Sequence, residues 1–152
     1  MIWQDFQRPA QVDLEEEGQE PTFGRFLAQP FERGWGTTLG NSLRRALLSS
    51  IPSAAITAVK IEGADHEFSA VPGVVEDVTD IILNLKEVLI KMHDPKPRVL
   101  KLEKDGEGRV TGGDIQPADG VEILNPHHHI ATTSRGAKLR MELHVQRGRG
   151  YV

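Results

Sequence analysis

KLRMELHVQ, residues 138–146, is the stretch that most directly indicates how this chain folds. Leu139, Met141, Leu143 and Val145 alternate with charged and polar residues. This period of two is typical of a strand with one buried face and one face in water, as found in antiparallel sheets. The stretch therefore predicts a long antiparallel strand.

The rest of the chain contains further strands and two helical patterns. The predicted strands and extended pieces are Thr22–Phe31, Ala55–Ile61, His66–Ser69, Glu87–Met92, Val99–Leu102 and Val121–Leu124. Apolar residues at helical spacing predict helices over Thr38–Ile51, closed by Pro52, and over residues 74–89. The sequence therefore predicts an α+β fold with mainly antiparallel sheets and two principal helices.

Composition excludes several classes of protein. The 152 residues include no cysteine, which excludes disulfide frameworks and thiolate chemistry and agrees with a reducing cytoplasm. A net charge of -4 and 5% aromatic residues do not fit a nucleic-acid-binding surface. No apolar run is long enough to span a membrane, and the acidic N-terminal stretch does not resemble a signal peptide. We therefore expect no membrane association.

The first predicted helix has two unlike faces on a helical wheel. Leu39, Leu43 and Leu47 lie on one face, with Ala46 and Ser50. The opposite face carries Asn41, Arg44, Arg45 and Leu48, so a single large apolar side chain stands between two arginines. Two interpretations are open for this second face: a solvated polar surface with one incidental leucine, or a contact surface for another protein.

The glycine-rich segment GWGTTLG, residues 34–40, suggests an alternative function. The predicted order here is a strand, a glycine-rich turn and a helix with an N-cap at Thr37 or Thr38. This order superficially matches that of a nucleotide-binding site. However, the glycines at 34, 36 and 40 do not match the G-x-G-x-x-G spacing, and no P-loop lysine follows. A small nucleotide-binding protein therefore remains the alternative hypothesis.

No residue pattern predicts a catalytic or metal site. His127, His128 and His129 are adjacent, so at most two of them can face one ion, and we interpret them as polar surface residues that should be dispensable. No nucleophile motif or acid–base pair is recognisable. We expect no cofactor and no catalytic residue in this chain.

Two long blocks of the sequence closely resemble one family. Residues 31–88 contain LGNSLRR, HEFS, GVVEDV and LNLK, and residues 119–152 end in VQRGRGYV. These motifs, in this order, resemble the N-terminal domain of the bacterial RNA polymerase alpha subunit. With the spacer between them, the blocks cover nearly everything from residue 22 onward.

The resemblance implies a non-catalytic scaffold. Members of this family form homodimers, and the dimer is the platform on which the two large catalytic subunits of DNA-directed RNA polymerase assemble. The family domain has a dimerisation layer and an inserted β-rich subdomain. By resemblance, residues 1–52 are the first segment of that layer and residues 53–152 are the insert, incomplete at its C-terminal end.

The resemblance also implies roles for individual residues. The expected large-subunit interface comprises Arg44, Arg45, Leu48, Asp80 and Lys86. The expected dimer interface comprises Trp35, Leu39, Leu43 and Leu47, which would pack on a sheet of the same chain and on the second protomer.

Three departures from the family pattern accompany this resemblance. Trp35 replaces the more usual phenylalanine, the histidine triplet is unusual, and the chain stops at Val152 where family members continue. The returning helix of the dimerisation layer and the DNA-binding C-terminal domain are then missing, so DNA contact is expected only through the complex. Two explanations are open for the end of the sequence at Val152: it is a fragment of a longer protein, or the gene product is truncated.

Overall fold

A computed structural model describes residues 6–15 and 23–150. The chain divides into two compact units, one ending at Ser50 and the next beginning at Ile51. The α-helices are α1 (Trp35–Ser50) and α2 (Val78–Lys86). The strands are β1 (Val12–Glu15), β2 (Arg25–Ala28), β3 (Ser53–Ile61), β4 (Ile90–Met92), β5 (Arg98–Asp105), β6 (Gly108–Thr111), β7 (Val121–Ile123), β8 (His129–Thr133) and β9 (Lys138–Gly148).

The first unit contains an antiparallel pair, β1 with β2, followed by α1. α1 begins earlier than the sequence predicts, so the prediction of an N-cap at Thr37 or Thr38 is wrong. The turn before the helix is at Gly34, whose φ of 86° suits glycine. Gly36 and Gly40 lie inside the helix rather than in a loop. Thr22, where a strand was predicted to begin, lies outside the described residues.

The second unit is built on a five-stranded sheet in the order β5-β9-β3-β4-β7. The four apolar residues of β9 are buried, which confirms the period of two seen in the sequence. All the pairings of β9 are antiparallel, with β3 on one side and β5 on the other. β9 is therefore an interior strand of this sheet, with one buried face.

One hydrophobic core lies against the inner face of this sheet. It includes Leu139, Leu143, Leu100, Ile81 and Ile130 among its most deeply buried members. α2 places Val78, Ile81 and Leu85 in this core. A second, two-stranded sheet of β6 and β8 packs on the same core through Val110 and Ile130. The predicted α+β class, with mainly antiparallel sheets and two α-helices in the described residues, is confirmed.

Three local predictions differ from the structure. The helix predicted over 74–89 is confined to Val78–Lys86, because the N–H of Val75 donates to the Thr132 carbonyl and Asp77 caps the helix. His66–Ser69 is a turn closed by a hydrogen bond from the Ser69 N–H to the His66 carbonyl, not a strand. Strands β6 and β8 have no clear alternation and were missed. Strand β1 was also missed, because its alternation covers only four residues, Val12–Glu15.

Candidate protein-interaction surfaces

One face of α1 carries the residues predicted to contact a large subunit. Arg44, Arg45 and Leu48 are all exposed, and 69% of Leu48 is accessible to water. Neither arginine forms an ion pair with any residue in the described part of the chain. Two free guanidinium groups beside an exposed leucine combine planar hydrogen-bond donors with an apolar contact, which suits a protein interface.

The opposite face of α1 carries the residues predicted to form a dimer. α1 contains no buried residue, and Leu43 and Leu47 are 55% and 63% exposed. Trp35 contacts Phe6 edge to face, with the ring centroids 4.7 Å apart. The prediction that Leu39, Leu43 and Leu47 pack on a sheet of the same chain is therefore wrong for the single chain. The stripe remains exposed, as a surface that requires a second chain would be.

α2 positions the two remaining predicted contact residues, Asp80 and Lys86. Its start is fixed by the Asp77 side chain, which accepts a hydrogen bond from the Asp80 N–H at 2.7 Å. Both side chains are exposed. Because they are six residues apart, they point about 120° apart around the helix. The structure therefore presents them on different sides of α2.

A polar cluster that sequence reasoning missed ties the start of α2 to β8. The Glu76 carboxylate accepts hydrogen bonds from the Thr132 N–H at 2.6 Å, the Thr132 hydroxyl at 3.0 Å and His129 Nε2 at 2.9 Å. Arg109 Nε donates to His129 Nδ1 at 3.1 Å, so the ring proton of His129 is on Nε2, facing Glu76. No local sequence pattern marks this cluster, because Glu76 and His129 are 53 residues apart.

Two of the three adjacent histidines therefore have structural partners. His128 Nε2 lies 3.0 Å from the Asn84 carbonyl oxygen of α2, and both His128 and His129 are half-buried. Only His127 is exposed. The interpretation of the triplet as polar surface residues is wrong for His128 and His129. That the triplet is dispensable stays a prediction.

Glu76 gives the stability of this unit a specific pH dependence. Burial alone would raise the pKa of Glu76, but the hydrogen bonds from Thr132 and His129 outweigh it and hold the pKa below the usual 4.5. A carboxyl whose pKa is lowered by folding stabilises the fold above its unfolded pKa, and this contribution is lost as the pH falls through the folded pKa. Acidification below about pH 4.5 should therefore destabilise the unit, partly through Glu76.

A Glu76→Gln variant tests this dependence. We expect it to lower the free energy of unfolding at pH 7 by about 1–2 kcal/mol, since a charged hydrogen-bond acceptor is lost. We also expect a shallower loss of stability between pH 5 and pH 3, in chemical denaturation series at several pH values. Glu107→Gln, at an exposed position, is the matched control. Equal pH profiles for the Glu76→Gln chain and the unmodified chain would contradict the assignment.

Neither a metal centre nor a membrane-spanning helix is found in the described residues. Across residues 6–15 and 23–150, no three His, Cys, Asp or Glu side chains are grouped so that they could hold a metal ion. Within the same ranges, no helix is both long and apolar enough to cross a bilayer.

Comparison with known proteins finds one matching family profile and several similar proteins that share one name. A family profile described as the RNA polymerase Rpb3/RpoA insert domain matches residues 59–152. A DNA-directed RNA polymerase subunit alpha of Geobacter metallireducens is 56% identical over 150 residues, which is 99% of this chain and 44% of that protein. Those of Symbiobacterium thermophilum and Moorella thermoacetica are 59% and 61% identical over 88% and 86% of this chain, and 42% of each relative. The chain thus spans less than half the length of these relatives.

Proposed function

Because this chain belongs to the DNA-directed RNA polymerase subunit alpha family, we propose that it acts as a non-catalytic assembly scaffold for transcription. In this role it forms a homodimer that nucleates assembly of the two large catalytic subunits. The observation that carries the proposal is the pair of opposite exposed faces on α1. One is an apolar stripe and the other is a leucine between two arginines.

The proposal assigns a role to each compact unit. Residues 1–52 form the first segment of a dimerisation layer, and residues 53–152 form the inserted β-rich subdomain. Two facts support this assignment: a unit boundary between Ser50 and Ile51, and the insert-domain match over residues 59–152. Enzyme activity belongs to the assembled polymerase, and this chain adds no catalytic group or cofactor. The role places the chain in the cytoplasm, with DNA contacted only through the complex.

Capture of large subunits by the purified chain tests the proposal. Immobilised chain should retain both large catalytic subunits from a mixture of purified polymerase subunits, and it should add no nucleotide to a primed template by itself. Retention of neither subunit would overturn the scaffold role. Nucleotide addition by the chain alone would overturn its non-catalytic nature.

The alternative nucleotide-binding function has no support in the structure or the comparisons. A phosphate-binding loop of this kind exposes backbone N–H groups ahead of a helix. In this chain most of GWGTTLG is already helical, since α1 begins at Trp35. The three relatives described above are named as polymerase alpha subunits.

Replacing Leu43 and Leu47 together by lysine should weaken self-association of the chain. Each leucine is more than half exposed in the single chain, and charge placed at the centre of an apolar contact is desolvated without a partner. We expect the dimer dissociation constant, measured by sedimentation equilibrium, to rise by about tenfold or more. Leu83→Lys, at an exposed position of α2, is the matched control. Unchanged association in the double variant would place the dimer contact elsewhere.

A further inference from the structure

The sequence contains two Asp–Gly pairs, Asp105–Gly106 and Asp119–Gly120. An Asp–Gly pair can react with itself, because glycine has no side chain to keep its amide nitrogen away from the neighbouring carboxyl group. The structure surrounds the two pairs differently. One chain therefore presents the same dipeptide in two environments.

Asp105–Gly106 is held by hydrogen bonds to both groups that would react. The Asp105 carboxylate accepts hydrogen bonds from Arg140 Nη2 at 2.8 and 2.9 Å, one to each oxygen. The Gly106 N–H donates to the Ala137 carbonyl at 2.9 Å. A hydrogen bond between a guanidinium and a carboxylate is charge-assisted and strong. Both groups must leave their partners before they can react with each other.

Asp119–Gly120 lies in a turn where both groups are free. The turn is closed by a hydrogen bond from the Val121 N–H to the Ala118 carbonyl at 3.1 Å. Gly120 has a φ of 78°, as the third residue of a type II turn requires. Asp119 and Gly120 are both exposed. In the described part of the chain, nothing accepts from the Gly120 N–H and nothing donates to the Asp119 carboxylate.

We propose that Asp119–Gly120 is a site of isoaspartate formation in this chain, whereas the fold protects Asp105–Gly106. In the first step the Gly120 amide nitrogen attacks Cγ of the protonated Asp119 carboxyl group. A C–N bond forms and a C–O bond breaks, and the hydroxyl group leaves as water with the N–H proton. The product is a five-membered succinimide ring. The step needs no oxidant, reductant or cofactor, and the inference is independent of the proposed function.

Water then opens the ring in one of two ways. Addition at Cγ breaks the bond between Cγ and the Gly120 nitrogen and restores Asp119. Addition at the Asp119 carbonyl carbon breaks the original peptide bond, so the chain continues through Cγ and the former main-chain carboxyl group becomes free. The isoaspartyl link adds one backbone atom to the turn that leads into the edge strand β7.

Incubation of the folded chain tests the inference. The purified chain is kept for several weeks at about pH 6, above the acid range in which Glu76 loses its charge. Trypsin cleavage after Arg109 then places the two Asp–Gly pairs in separate peptides. Isoaspartate leaves the mass of a peptide unchanged, so it is measured by electron-transfer fragmentation and by methylation with a purified isoaspartyl O-methyltransferase.

We expect isoaspartate to form at Asp119 about tenfold or more faster than at Asp105, the factor for breaking a charge-assisted hydrogen bond before the reaction. Equal rates, or a faster rate at Asp105, would overturn the inference.

The unfolded chain is the matched control. In denaturant the two pairs lose their different surroundings, so isoaspartate should form at similar rates at both. A difference as large as that in the folded chain would come from the neighbouring residues in sequence, and it would also overturn the inference.

Two substitutions test the groups involved. Asp119→Glu should abolish methylation of the peptide that contains this turn, because glutamate would have to close a six-membered ring. Methylation that persists would place the modification at another residue and overturn the assignment. Arg140→Gln should raise the rate at Asp105 by about fivefold and leave the rate at Asp119 unchanged, since it releases only the Asp105 carboxylate. An unchanged rate at Asp105 would overturn the protective role of Arg140.

Discussion

Arg45→Ala should weaken capture of a large polymerase subunit by about tenfold or more while leaving the fold intact. An arginine at the centre of an interface can contribute about 2 kcal/mol or more to binding, and about 1.4 kcal/mol corresponds to a factor of ten. Arg45 is exposed and lies opposite the leucine stripe of α1, so its removal leaves the stripe in place. Surface substitutions of this kind change stability by about 0.5 kcal/mol or less.

Further variants define how this face works. Leu48→Ala should reduce capture in the same way, because it removes the apolar side chain beside the arginines. Arg45→Lys should restore capture only partly, since lysine lacks the planar group that forms paired hydrogen bonds. Arg135→Ala, an exposed arginine of the second unit, is the matched control for loss of positive charge.

Two measurements separate the outcomes for this face. Thermal melting and sedimentation report on fold and dimer, and retention of purified large subunits reports on capture. If Arg45→Ala or Leu48→Ala lowers the melting temperature or breaks the dimer, these side chains are structural. If neither variant changes capture, the face is only a solvated surface of α1.

Ile81→Ala should destabilise the second unit by about 2–5 kcal/mol. Ile81 is 0% exposed and belongs to the core shared by α2, the five-stranded sheet and the β6–β8 pair. Truncation removes apolar contact and leaves a cavity among neighbours that are fixed by their own strands. Since domains of this size are stable by only about 5–15 kcal/mol, the variant should lose a large fraction of its stability.

Leu83→Ala is the matched control for this prediction. It lies two residues away on the same helix and is 54% exposed, so alanine there should change the free energy of unfolding by about 0.5 kcal/mol or less. Chemical denaturation of both variants gives the comparison directly. A similar loss for the two would mean that α2 does not pack on the core as described.

The sequence predicted those elements whose pattern reflects the face that each residue presents. β9 was found because its apolar residues alternate over nine positions, and β3 because its β-branched residues do the same over a shorter run. β8 was missed because Ile130 and Ala131 are both buried, so no alternation marks it. The two unlike faces of α1 were also visible, since helical spacing depends only on the order of residues.

Other features depend on contacts between distant residues. α2 begins at Val78 rather than at residue 74, where the sequence predicted it to begin. The reason is that Glu76 and Val75 form hydrogen bonds with Thr132, which is more than 50 residues away. The partners of His128 and His129 likewise require strands to be brought together by the fold. The family resemblance could be recognised without the structure because it rests on motifs in the sequence. The fold class and the opposed faces of α1 could also be predicted, because they follow from the periodicity of apolar residues. The pairing of polar groups became visible only in the folded chain, because these hydrogen bonds join residues that are far apart in sequence and have no local pattern in common.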